Sequence, residues 1–266
     1  MAARTFSQVV SDAINDLSLH GFDDIGRLSK WQREIEVAAE REIKSENQLT
    51  ARLKDHLSKI YAQRIERGGV LKLHNIPRWT LEKIKPKLRN ELDRRIIASA
   101  QLIKLNREEM IQKTLRRFSG WATSLPMGGS DIIDKREVAA DIKKSLYSEN
   151  FVNRRLLIDQ SHKFKAALDN IIATDGGAIA AEWNVRRTAG YDNRHSHLER
   201  EGNIYLMRDS WAMKEGLVKL AGHQYTDEIT QPGEEISCSC NFRFIYALRD
   251  IPHECLTNLA KEKLAK

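Results

Sequence analysis

The stretch Trp183-Asn184-Val185-Arg186-Arg187-Thr188-Ala189-Gly190-Tyr191-Asp192-Asn193-Arg194-His195-Ser196-His197 decides the fold. It runs on through Leu198-Glu199-Arg200-Glu201-Gly202 and closes at Pro232-Gly233-Glu234-Glu235-Ile236-Ser237-Cys238-Ser239-Cys240. Two of the three cysteines and three of the eight histidines of the chain fall inside it. Upstream, apolar residues recur every three or four positions, the period of an amphipathic helix. Within this stretch the period shortens to that of strands and turns. The reading is a mainly α protein: an elongated N-terminal helical region followed by a small α+β C-terminal module of short strands. The loop from Ser119-Gly120 to Pro126-Met127-Gly128-Gly129 marks the boundary. It separates a basic helical region, 1–125, from a module at 130–266, with helices over 131–174 and strands and turns over 178–250.

The totals limit the function classes. The chain has 266 residues, 41% hydrophobic and 30% charged, which is polar for a globular protein yet rich enough in apolar side chains to fold. No apolar run reaches the ~20 residues of a membrane span, so no membrane partner is expected. Three cysteines, a low and odd count, fit a reducing compartment rather than a disulfide framework. The net charge is +7, unevenly spread. Residues 1–170 carry +9 and residues 171–266 carry −2; within the first part, 52–117 alone holds 18 basic and 7 acidic residues. A one-sided excess of this kind attracts a polyanion or an acidic protein surface, or simply solvates a helical face.

Outward from the central stretch, Phe6, Val9, Val10, Ala13, Ile14 and Leu17 predict a helix over 5–20, ended by Gly21. A long helical region follows from about Ser29, with a break near 40–47, closed by Gly68-Gly69. Pro77 makes 70–79 a connector. Pro86 fits the first turn of the next helix, whose stripe is Leu88, Leu92, Ile96, Ala100, Ile103, Met110, Leu115 and Phe118. Its opposite face carries Lys87, Arg89, Arg94, Arg95, Lys104, Arg107, Lys113, Arg116 and Arg117. These nine are the candidate contacts to double-stranded DNA or to an acidic partner. With only Tyr61 and Trp79 as aromatics there, DNA contact would run through phosphates, without sequence preference. Ser130 caps a helix over 131–147, and another spans 152–173. Short strands are expected at 178–187, 203–207, 224–230 and 241–248, a helical turn at 209–220, and a last helix near 255–264.

Two constellations carry chemistry. His195-x-His197 and Cys238-x-Cys240 each place two donors on one face of a strand, and two nitrogens with two sulfurs suit tetrahedral zinc. Their spacings are unlike the usual zinc pairs. The competing reading makes the cysteines small buried hydrophobes and His197 a hydrogen-bonded hinge. No cofactor is therefore expected, with zinc the one candidate. Asp192, His195, His197 and Glu199 offer the residue types of a metal-dependent nuclease, and such density equally describes a solvated loop. No phosphate-cradling Gly-x4-Gly-Lys-Ser/Thr, Gly-x-Ser-x-Gly or His-Glu-x-x-His occurs. The expectation is a protein that is not an enzyme, with sequence-independent DNA binding and nuclease activity as the alternatives.

In order and spacing, Trp183, Arg194-x-x-His197, Gly202 five residues on, the Pro232-Gly233 turn and Cys238-x-Cys240 resemble the signature region of the minor head proteins of tailed phages, the head morphogenesis or Mu F-like family. The resemblance covers about 153–246. Two departures stand out: a further cysteine pair near the histidine is absent, and Ser239 replaces an Arg between the last two cysteines. The resemblance implies a low-copy component of the procapsid interior, associated with the portal protein and with capsid or scaffold proteins. It would act in head assembly, DNA packaging or ejection, in the host cytoplasm during assembly and then inside the virion. It also implies structural roles: Arg194 bonding carbonyls of the returning Cys-x-Cys segment, His197 fixing the turn toward Gly202, and Gly202 supplying a positive φ.

Overall fold

The computed structural model describes residues 4–21, 25–44, 48–74, 76–125, 134–147, 149–187 and 192–265. The chain is mainly α, with one small sheet in its C-terminal third. Its helices begin with α1 Phe6–His20, α2 Ile25–Lys44, α3 Gln48–Tyr61, α4 Gly69–His74 and α5 Arg78–Ala122. They continue with α6 Lys135–Ile142, α7 Lys144–Tyr147 and α8 Glu149–Asp175. Next come β1 Ala180–Asn184, α9 His195–Leu198, β2 Ile204–Leu206, α10 Trp211–Lys214, β3 Gln224–Tyr225, β4 Asn241–Ile245 and α11 Asn258–Leu264.

The chain folds as two compact units, each made of two separated segments. One comprises Met1–Arg52 and Ala98–Arg154, the other Leu53–Ile97 and Arg155–Lys266. The boundary expected at 125/130 is therefore not where packing divides the chain. Residues 126–133 lie outside the described residues. The passages between units fall inside or beside the long helices α3, α5 and α8, where no Gly- or Pro-rich linker advertises them.

In the first unit, α1 opens on a reciprocal capping box. Thr5 Oγ1 accepts from Gln8 N–H at 3.3 Å, and Thr5 N–H donates to Gln8 Oε1 at 2.8 Å. Its apolar face, Phe6, Val9, Val10, Ala13, Ile14 and Leu17, packs with Trp31, Ile35, Ala38 and Ala39 of α2 and with Ile111, Phe118 and Ile142. Fully burying a side chain of this size is worth ~1.5–3 kcal/mol, so this face outweighs any propensity term. The helix expected from Asp131 is described only from Lys135. Its cap is Asp134, which accepts from the N–H groups of Arg136 and Glu137 at 2.8 and 3.2 Å. A turn at Lys143 splits the single expected element into α6 and α7.

The second unit corrects two readings. The expected connector 70–79 contains α4, and α5 starts at Arg78, so Pro86 stands inside the helix rather than in its first turn. The buried stripe here begins earlier than expected, at Leu81 and Ile84, before reaching Leu88 and Leu92. Pro86 is exposed, so its ring faces solvent while the stripe stays intact. His74 at the end of α4 is buried. Its Nδ1 lies 2.8 Å from Tyr246 Oη and its Nε2 3.1 Å from Asp169 of α8, which Arg64 also reaches. Burial pushes the Tyr246 phenol up, and the Asp169 charge adds to that.

The sheet has the order β3-β2-β1-β4; β1 is antiparallel to β2 and β4, and β2 is parallel to β3. Alternation along β1 serves two cores. Ala180 packs with Leu206, Ile245, Leu217 and Cys255. Trp183, paired in register with Phe242, packs with Tyr205, Cys238 and Cys240. β3 is only two residues long, not the seven expected. Its continuation turns at once, with Glu228 N–H returning to the Tyr225 carbonyl at 3.2 Å.

Candidate functional site

The buried stripe of β1 builds the site. Trp183 is 1% exposed, and its ring stands edge-on to His197 at 5.4 Å and to Phe242 at 5.8 Å. The Arg200 guanidinium covers the same indole at 5.1 Å and donates to the Thr230 carbonyl at 3.0 Å. Gly202, with φ +79°, directs its N–H to the Trp183 carbonyl at 2.9 Å. That bond brings the chain from α9 into register for β2, and the left-handed backbone is why a glycine stands there.

His197 lies on the four-residue helix α9 and is 3% exposed; Cys238 and Cys240 are 2% and 5% exposed. Their donor atoms converge: Nδ1 of His197 is 3.8 Å from Cys238 Sγ and 3.6 Å from Cys240 Sγ, and all three atoms lie within 4.8 Å of one another. On the far side of the ring, Nε2 lies 3.4 Å from Glu235 Oε2, an approach of charge rather than a formed hydrogen bond. Backbone N–H groups support the sulfurs. Gly233 N–H donates to Cys238 Sγ at 3.3 Å, and the N–H of Arg186 serves Cys240. The hydrogen bond from the Cys240 thiol draws the Cys238 thiol well below its ordinary value, and the N–H groups and His197 add to this against the effect of burial. Cys240, as that donor and in the same buried setting, is pushed up.

The returning loop is held from several directions. Arg194 donates to the Ile236 carbonyl at 2.9 Å and meets Glu235 at 2.9 Å. Ser237 N–H donates to Asp159 Oδ1 of α8 at 2.6 Å, and Ser237 itself takes a left-handed φ of +61°. Pro232 and Gly233 are buried, and Gly233, φ +84°, comes close against α8 at Ala166. Ser239 Oγ, between the thiols, is buried without a hydrogen-bond partner.

The structure thus brings Trp183, His197, Cys238 and Cys240 together, ties Gly202 to the Trp183 carbonyl and Arg194 to residues 235 and 236, and buries Pro232 in the same returning loop. It does not bring His195 to them. That imidazole is 87% exposed and pairs with Glu199 at 3.1 Å, because a helical turn, not a strand, separates i from i+2. The four-donor zinc set is corrected to three donors. The nuclease constellation does not assemble either. Asp192 and Glu199 are exposed, while His197 faces sulfur, and the one metal-competent group among the described residues contains no carboxylate. Asp159 and Glu235 carry roles that the sequence reading did not assign, and Gly233, named there only as part of a turn, also donates to Cys238.

Most basic residues of the α5 stripe meet a carboxylate. Lys87 meets Asp175, Arg89 meets Asp93, Arg94 and Arg95 meet Glu91, Lys104 meets Glu108, Arg107 meets Glu42 and Lys113 meets Glu109. Arg117 donates to the Asp141 carbonyl, and Arg116 is exposed. These surface pairs add little stability each. No helix among the described residues is long and apolar enough to cross a membrane. No protein-family model, curated protein or solved structure matches this chain.

Proposed function

We propose that the chain is a minor head protein of a tailed phage or prophage, a structural component rather than a catalyst. It would associate with the portal protein in the procapsid interior and act in head assembly, packaging or DNA ejection. The observation that carries this reading is the meeting of Trp183, His197, Cys238 and Cys240. They are spread over 58 positions, with Gly202 bonded to the Trp183 carbonyl and Arg194 to the returning loop. A chance run of short motifs has no reason to close on itself in space.

The test is copurification of the full chain with the portal protein of the same phage or prophage. Association that persists from low to high salt is the expected result. Absence of association across that range overturns the reading.

A further inference from the structure

We infer that His197, Cys238 and Cys240 bind one zinc ion through the imidazole Nδ1 and two thiolates, and that this ion is a structural pin of the C-terminal module. The inference stands apart from the head-assembly reading, and either can fail alone.

Four observations carry it. First, the distances suit a shared ion. Zn–S and Zn–N bonds of ~2.3 and ~2.0–2.1 Å at the tetrahedral angle place sulfur and nitrogen about 3.6 Å apart. The two separations here are 3.6 and 3.8 Å. They lie at the long end of the range for an N–H to sulfur contact. Second, the Glu235 carboxylate lies 3.4 Å from Nε2, on the side of the ring away from the sulfurs. A carboxylate behind a ligating histidine is the usual second layer of a zinc site. Third, backbone N–H groups of Gly233 and Arg186 point at the two sulfurs, an arrangement that stabilises thiolate. Fourth, the charges balance. Two thiolates and a neutral imidazole around Zn2+ sum to zero, whereas two buried thiolates without a cation would repel.

Soft sulfur donors with one imidazole select zinc over magnesium or calcium. Three protein donors leave the fourth position to a water molecule. That is the ligand count of many catalytic sites, but all three side chains are buried and the Trp183 ring covers the imidazole. The role that follows is mechanical: the ion ties α9 to the 232–240 loop. On binding, each cysteine still protonated releases its proton to solvent, with no redox change.

The experiment uses the full chain, purified under reducing conditions from zinc-supplemented cells. Elemental analysis is expected to give one zinc per chain. Replacement by Co2+ is expected to give tetrahedral ligand-field bands and a thiolate-to-cobalt charge-transfer band. Cys238→Ser and Cys240→Ser should each lose the metal and the charge-transfer band, while Cys255→Ser, whose thiol lies in a separate core, should keep both. Chelation of the wild-type chain should lower its Tm, and added ZnCl2 should restore it. The cobalt spectrum and the chelation response need no variant to fold. A folded, reduced chain that neither carries nor takes up zinc overturns the inference. So does a Cys238–Cys240 disulfide in freshly isolated protein, or metal retained by the double serine variant.

Discussion

At Gly233, φ is +84° and an added Cβ would lie 2.9 Å from Ala166 Cβ, on the helix behind the loop. At Gly202, φ is +79° and an added Cβ would meet nothing within 4 Å. The two glycines thus share a backbone requirement and differ in the space available. A left-handed φ costs a non-glycine residue ~1–2 kcal/mol, so Gly202→Ala should destabilise by about that much. Gly233→Ala carries the same penalty plus a contact that neither the loop nor α8 can relieve by rotating a side chain. It should cost about 1 kcal/mol or more beyond Gly202→Ala. Urea denaturation of the two variants measures the difference, and equal midpoints would show that the loop can lift away from the helix. The sequence exposed some of these residues and hid others. Cys238-x-Cys240 and His197 are rare residue types at close spacing, so they stood out. Asp159 did not, because a single Asp on an amphipathic helix looks like any solvated carboxylate until its partner, the Ser237 N–H, is seen.

Elements were legible where burial and period agree. α1 shows its face in six apolar residues and its end in Gly21, and β1, β2 and β4 fall inside the expected spans. α5 is the instructive exception. Proline is poorly tolerated in helix interiors because it lacks a hydrogen-bond donor and crowds the preceding turn. That rule moved the expected start to Pro86, but the helix runs from Arg78 through it. The apolar face formed by Leu81, Ile84, Leu88 and Leu92 explains the override: all four are buried, and together they outweigh the ~3 kcal/mol that an interior proline costs. Pro86→Ala should therefore raise the melting temperature, by about 1 kcal/mol or more in stability, as the amide regains the Glu82 carbonyl as acceptor. A lower melting temperature would mean that the proline shapes a bend on which the stripe depends.

For the whole molecule, the division into units makes a prediction that the sequence alone reversed. Packing draws 53–97 and 155–266 into one unit. Within it, His74 and Arg64 reach Asp169, and Lys87 reaches Asp175. A fragment of residues 130–266 lacks Leu53, Leu57, Ile65, Leu81 and Leu88, all buried in the full chain. It should show no cooperative thermal transition by circular dichroism. Co-expression with a fragment spanning 1–125 should restore one, since the missing faces return. A sharp transition in 130–266 alone would establish the C-terminal module as self-sufficient.

The sequence by itself determined the helical character, the small C-terminal sheet and the residue types of the candidate site. Each follows from local information: period, caps, turns and the scarcity of Cys and His. Tertiary structure alone decided three other things. It chose His197 over His195, because a helical turn points successive donors in different directions. It matched the α5 lysines and arginines with carboxylates, some distant in the chain, which net charge cannot reveal. It also set the unit boundary inside continuous helices. A helix is held together by bonds between near neighbours, so its backbone carries no mark of the place where the packing against it changes from one core to another.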